Sequence, residues 1–163
     1  MRANREFLLK HPAHLIAFGF GAGLIPKAPG TWGTLVAIPF YFLALRLGGT
    51  PMVLACAFAF FFIGIWASSV TGRNLGVADY GGIVVDEIAA FVLVLAFTPA
   101  GLNWLVVAFV LFRIFDIVKP WPISYFDRTL KGGFGVMFDD LLAALGTIAL
   151  LLILHSFVWE FSL

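Results

Sequence analysis

The chain has 163 residues, of which 62% are hydrophobic and only 12% are charged. A soluble domain carries roughly 45–50% apolar and about 25% charged residues, so this composition excludes both an ordinary water-soluble globule and a disordered tail. The net charge of +1 and the single cysteine exclude a nucleic-acid binder that works by electrostatics, a disulfide framework and a site of several thiolates. One membrane domain, residues 1–163, is the class that remains.

The amino-terminal segment comes first in chain order. It does not resemble a cleavable signal peptide, because His11, Pro12 and His14 interrupt its apolar run. We expect it to form an amphipathic helix that lies on the membrane surface.

Four later segments carry no Asp, Glu, Lys or Arg: residues 28–45, 47–72, 88–112 and 141–159. A membrane-spanning helix needs about 20 apolar residues. The first segment contains Pro39 and predicts a kinked or partial span over Thr34–Leu45. The turn signal Thr98–Gly101 divides the third into two helices. The sequence therefore predicts an all-α, small polytopic bundle of about five membrane helices.

Basic residues predict the orientation of this bundle. If the amino terminus is cytoplasmic, five crossings place segments 71–87 and 113–140 on the cytoplasmic side. Those segments contain five of the basic residues, and only Arg46 falls on the far side. This asymmetry is what the positive-inside rule expects.

Acidic residues concentrate in the same two segments, which hold seven of the nine. Asp86 and Glu87 begin the predicted third helix, Asp116 ends the fourth, and Asp139 with Asp140 begin the fifth. In an alternating topology these ends lie at one depth, so the five carboxylates can converge. Carboxylates that converge repel one another, and oxygen ligands suit Mg²⁺ or Mn²⁺.

The competing interpretation is that Asp86 and Asp139 cap helices and that their neighbours are first-turn acids. It explains Asp116 less well, because a helix carboxyl end disfavours negative charge unless a cation such as Arg113 or Lys119 pairs with it.

Candidate phosphate-binding residues accompany the acids. A glycine-rich stretch, Gly19–Gly23, leads to Lys27, Thr31 and Thr34, whose side chains can donate to an anion. Arg113 and Lys119 are further candidates. Neither Cys56 nor the three histidines lie in a phosphatase motif, which leaves a metal-activated water as the nucleophile. The pattern predicts metal-dependent chemistry on a phosphate.

Four segments carry a resemblance to a known family: GFGAGLIPKAPGTWGTLVAIP (Gly19–Pro39), IVVDE (Ile83–Glu87), RIFDIVKPWPISYFD (Arg113–Asp127) and GGFGVMFDD (Gly132–Asp140). In order and spacing they resemble the signatures of phosphatidylglycerophosphatase A. Ala90 and Ala144 stand where that pattern has glycine.

The resemblance implies a Mg²⁺-dependent lipid phosphatase of the bacterial inner membrane, and the distribution of basic residues predicts that its amino terminus and active site are cytoplasmic. Its substrate would be phosphatidylglycerophosphate within the membrane lipid, and we expect no nucleic acid and no obligatory protein partner. The family's acidic positions correspond to Asp86, Glu87, Asp116, Asp139 and Asp140, and Asp79 is a further candidate. The alternatives are a cation-coupled transporter, which would place its acids near the bilayer midplane, and a structural membrane subunit.

Overall fold

A computed structural model describes residues 3–160, with side chains described through residue 157. Over these residues it is all-helical, which confirms the predicted fold class, and it contains no strand. The helices are α1 (Arg5–Leu9), α2 (Pro12–Ala17), α3 (Pro29–Leu75), α4 (Val85–Ala96), α5 (Leu102–Val118), α6 (Ile123–Thr129) and α7 (Gly132–Glu160), with a short, irregular 3₁₀ segment at Gly19–Leu24.

The 47-residue helix α3 is a hairpin rather than one rod. Gly48 and Gly49 leave the helical conformation, and Gly49 has a φ of 66°, which glycine adopts readily. The rings of Phe40 and Phe60 lie 4.9 Å apart, although 20 residues of continuous helix would separate them by about 30 Å. Residues 29–47 therefore form a first arm and residues 50–75 a second arm. The first arm starts at Pro29 and is longer than the predicted partial span.

Helices α4 and α5 form the predicted second hairpin around the turn at Thr98–Gly101. Phe91 of α4 packs against Phe109 and Phe112 of α5, with ring centroids 5.8 Å and 5.5 Å apart. Almost all of α4 is buried, so this short helix forms the centre of the bundle.

Two of the described helices, α3 and α7, are long and apolar enough to cross a membrane. They indicate membrane association, whereas the count of about five membrane helices goes beyond this observation. Helix α7 begins at Gly132, about two turns before Asp139. The prediction that Asp139 and Asp140 begin this helix is therefore wrong, because the glycine-rich stretch before them is itself helical.

The amino-terminal segment forms two short helices instead of one. Phe7 of α1 stacks on His14 of α2 with ring centroids 4.0 Å apart. The amide Nδ2 of Asn74, near the end of α3, donates to His14 Nε2 over 2.8 Å. Apolar side chains of the segment thus pack on the protein, while Arg5, Glu6 and Lys10 remain exposed.

Candidate active site

Three carboxylates from two helices meet in a compact cluster, which we call the acidic cluster: Asp86, Glu87 and Asp140. One oxygen from each lies within 4.8 Å of the others. Asp86 and Glu87 are in the first turn of α4. Asp140 lies about two turns into α7, where it is only 3% exposed. The prediction that residues from these separate segments converge is met for these three.

The acidic cluster contains buried oxygens that have no hydrogen-bond partner among the described residues. They are Oδ1 of Asp86, Oε2 of Glu87 and Oδ2 of Asp140. Buried carboxylate oxygens are costly unless they are paired, protonated or bound to a cation. An all-oxygen donor set of this kind fits a hard divalent cation such as Mg²⁺.

Helix capping does not explain these acids. The residue that precedes α4 is Val84, and no side chain caps that helix. Asp139 lies inside α7 and far from its start. The capping interpretation is therefore wrong for Asp86 and Asp139, and only the favourable first-turn position of Asp86 and Glu87 remains from it.

Arg113 links the acidic cluster to the end of α5. Its guanidinium lies 2.6 Å from Oδ2 of Asp116 and 3.8 Å from Oε1 of Glu87. This ion pair explains how a carboxylate is tolerated at the carboxyl end of a helix. The same guanidinium donates to Oγ1 of Thr34 over 3.3 Å, and its Nε has no partner among the described residues. Arg113 therefore retains one buried donor that could contact a substrate oxygen.

Gly30 allows the start of α3 to approach this group closely. A Cβ at this position would overlap Oε1 of Glu87 and would lie 3.1 Å from both terminal nitrogens of Arg113. Oγ1 of Thr34, one turn later, donates to the carbonyl of Gly30 over 2.9 Å. Gly30, in the first turn of α3, thus brings backbone next to the carboxylate of Glu87.

Lys119 is placed between two carboxylates. Its Nζ donates to Oδ1 of Asp127 over 2.6 Å and also to Oδ2 of Asp139. Burial alone would lower the pKa of Lys119, but these hydrogen bonds outweigh burial and raise the pKa well above its usual value. The hydrogen bond from Lys119 holds the pKa of Asp127 below its usual value. Lys119 and Asp139 thus form a second group beside the acidic cluster.

The remaining predicted residues lie at the edge of the site. Lys27 is exposed in the loop before α3, and Thr31 is half-buried in the first turn of that helix. Within the described part of the chain, neither forms a side-chain hydrogen bond or ion pair with the carboxylates. Asp127 is a site residue that the sequence interpretation did not select, although it is the last residue of the RIFDIVKPWPISYFD segment.

Comparison with known proteins agrees with this arrangement of residues. The sequence model of phosphatidylglycerophosphatase A matches residues 15–155, which include every carboxylate of the site. The chain belongs to the phosphatidylglycerophosphatase A family. The resemblance noted in the sequence is thereby confirmed.

Curated relatives span most of the chain. A phosphatidylglycerophosphatase A from Haemophilus influenzae is 44% identical over 142 residues, which cover 86% of this chain and 87% of the relative. The Escherichia coli phosphatidylglycerophosphatase A is 41% identical and covers 86% of this chain and 82% of its own length. A relative from Bacteroides thetaiotaomicron, provisionally named a phosphatidylinositol-3-phosphatase, is 40% identical over 83% of this chain and 90% of the relative. No solved structure matches the chain significantly.

Proposed function

We propose that this chain is a Mg²⁺-dependent phosphatase that hydrolyses the terminal phosphomonoester of phosphatidylglycerophosphate to phosphatidylglycerol and phosphate. The names of its two relatives from Haemophilus influenzae and Escherichia coli support the reaction. The observation that carries the proposal is the acidic cluster, with its buried and unpartnered oxygens beside the guanidinium of Arg113. Membership of a phosphatase family and a cluster of buried carboxylates beside a guanidinium support the same chemistry.

Asp86, Glu87 and Asp140 would hold the cation through their unpartnered oxygens, and Asp116 and Asp139 complete the five acids of the site. A bound Mg²⁺ would supply neutralisation of phosphoryl charge and a lower pKa for an attacking water. Because Mg²⁺ keeps several waters, not every acid needs to be a ligand.

The other side chains bind and orient the substrate. In the hydrolysis, the oxygen of water forms a bond to phosphorus, the bond from phosphorus to the lipid oxygen breaks, and the leaving oxygen takes up a proton. One site carboxylate accepts the proton of the attacking water. Arg113 donates from its free Nε to a phosphoryl oxygen, and Lys27 and Thr31 approach from the loop side. Lys119 holds Asp139 in place through its ion pair.

Phosphate release from purified protein tests this proposal. With Mg²⁺ the protein should hydrolyse phosphatidylglycerophosphate in mixed micelles, and chelation should abolish release until Mg²⁺ is restored. Asp140→Asn should reduce kcat by at least a hundredfold while the protein remains folded. Glu6→Gln is the matched control, since Glu6 is 76% exposed on α1 and, among the residues that the structure describes, pairs with Lys10 alone. Phosphatidylinositol 3-phosphate should be tried in parallel because of the third relative's name.

The alternatives predict different results. A structural membrane subunit would release no phosphate under any condition. A cation-coupled transporter would move ions across vesicles and leave the lipid intact. Asp86, Glu87 and Asp116 lie near the ends of α4 and α5, and Asp139 with Asp140 lies about two turns into α7, whereas a transporter would need its acids near a broken helix at the bilayer midplane.

We propose a multi-pass arrangement in the bacterial cytoplasmic membrane with the site on the cytoplasmic side. The start of α3, the start of α4 and the end of α5 meet at the site, while Arg46 lies beside the Gly48–Gly49 break at the other end of the first arm. In a Cys56→Ala background, Arg128→Cys should react with an impermeant thiol reagent only from the cytoplasmic side. Thr50→Cys should react only from the opposite side, and the reverse pattern would contradict the orientation.

A further inference from the structure

An apolar groove of about 530 Å³ lies between the second arm of α3, α4 and α7. All of the side chains that line it are apolar. Small residues on its inner wall, Ala57, Ala89 and Ala90, leave the space open. Its open side is bordered by Phe58 and Leu145, whose side chains are largely exposed. The groove is thus accessible from the outer, apolar surface of the bundle.

The lining of the groove on α4 starts within one helical turn of the acidic cluster. Asp86 is followed on the same face of α4 by Ala90, Leu93 and Phe97, at the i+4, i+7 and i+11 positions. These three residues line the groove along its length, and Leu141, next to Asp140 on α7, lines it from the other side. From Ala90 to Phe97 the groove runs for about 10 Å along α4, away from the carboxylates.

We propose that this groove binds an acyl chain of the phospholipid whose phosphate lies at the acidic cluster. The inference rests on the proposed function and adds a subsite to it. One molecule that joins a phosphate head group to an apolar tail accounts for both the acidic cluster and the apolar groove that follows it along α4 and α7. The volume lies within the roughly 300–1,000 Å³ of small-molecule sites, and the lining offers no polar partner to any other part of a lipid.

The proposal makes chain length a determinant of substrate affinity. Burial of one methylene from water favours binding by roughly fourfold, and a methylene that leaves a micelle for the groove gains only a fraction of this. An acyl chain contributes equally before and in the transition state, so its loss should raise KM and leave kcat almost unchanged. A site that recognises only the head group would show no dependence on acyl length at constant micelle concentration.

Two substitutions fill the groove from different sides. Ala57→Leu adds bulk to the inner wall on the second arm, on a different helix from the carboxylates. Leu145→Trp covers the open side of the groove. Because the Leu145 side chain is 51% exposed, this substitution should leave the packed core unaffected. Leu152→Trp is the matched control, because Leu152 is 52% exposed on the same helix and does not line the groove.

The experiment measures KM and kcat for dihexanoyl, dioctanoyl and dipalmitoyl phosphatidylglycerophosphate in micelles of fixed composition. The wild type and Leu152→Trp should show KM falling at least tenfold from the shortest to the longest chains. Either groove variant should raise KM for the dipalmitoyl lipid at least fivefold, with kcat within twofold of the wild type. Unchanged chain-length dependence in a folded groove variant would overturn the proposal.

A binding measurement separates this proposal from the proposed reaction. Phosphatidic acid with a photoreactive diazirine at the end of one acyl chain should label the peptide that contains Phe61 and Phe62, and excess unlabelled phosphatidic acid should compete. Leu145→Trp should weaken that labelling at least threefold. Saturable labelling by a protein that releases no phosphate from phosphatidylglycerophosphate would refute the proposed reaction and support the acyl-chain groove. Labelling that is absent, or that does not saturate, would refute the proposal that the groove binds an acyl chain. Labelling that disappears because a second copy of the chain covers this face would refute it as well.

Discussion

Replacing Arg113 with methionine removes the cation that faces Asp116 at 2.6 Å and Glu87 at 3.8 Å. The three side chains are 14%, 11% and 12% exposed, so little water can replace the lost interaction. Removing one partner of a buried ion pair costs roughly 3–5 kcal/mol, because the remaining charge stays buried. The residual exposure places the expected loss near the lower end, at about 3 kcal/mol.

The free energy of unfolding of Arg113→Met should be measured in mixed micelles by denaturant titration with a chelator present, because a bound cation would replace part of the lost charge. The double variant Arg113→Met/Asp116→Asn should recover at least half of the loss, since it removes one of the stranded charges. Arg128→Met is the control, and this exposed residue of α6 should change stability by less than about 0.5 kcal/mol.

Two results would refute this reasoning. One is an Arg113→Met protein as stable as the Arg128→Met control. The other is a double variant whose loss equals the sum of the two single losses, because that additivity would mean that Arg113 and Asp116 do not interact in the folded protein.

Two further predictions concern a glycine and a histidine. Gly30→Ala should reduce phosphatase kcat by about a hundredfold in a folded protein, because the new Cβ displaces the carboxylate of Glu87. Gly81→Ala is the control and should retain activity, because a Cβ there meets no atom within 4 Å. Equal activity in the two variants would contradict the contact between Gly30 and Glu87. For His14, burial first and nearby His11 second lower the pKa. His14 therefore binds a proton at higher pH in the unfolded chain than in the folded protein. The contribution of neutral His14 to the free energy of unfolding is present above about pH 6.5 and should be lost as the pH falls toward the folded-state pKa. The fall in Tm between pH 7.5 and pH 5.5 should be smaller for His14→Gln than for the wild type. An equal fall in both proteins would exclude His14 as its source.

Asp139 and Asp140 illustrate how far the sequence alone can predict the site. Their place near Asp86, Glu87 and Asp116 followed from charge distribution and alternating topology. Successive residues of a helix, however, point about 100° apart. Asp140 therefore contributes to the acidic cluster, while Asp139 pairs with Lys119. Adjacency in sequence could not separate these two environments, because the direction of each side chain depends on where α7 begins.

Asp127 and Thr34 show the same limit from the other side. Asp127 lies on the short helix α6, and only the packing of that helix near α7 brings its carboxylate to Lys119. Thr34 was one of several candidate donors in the sequence, and the close approach that Gly30 permits is what places it against Arg113. Both contacts join residues from different elements, so no local pattern could specify them.

The sequence by itself indicated membrane association and determined the helical fold, the turn at Thr98–Gly101 and the family, because composition, hydrophobic run length and motif spacing are properties of the chain. The tertiary structure decided which acids share a cluster, which cations neutralise which carboxylates, and that the lining of an apolar groove starts within one helical turn of the acidic cluster. These features depend on distances between helices that are far apart in sequence. Such distances are set by the packing of small residues such as Gly30 and Ala90, whose absent or short side chains carry little signal in the sequence itself.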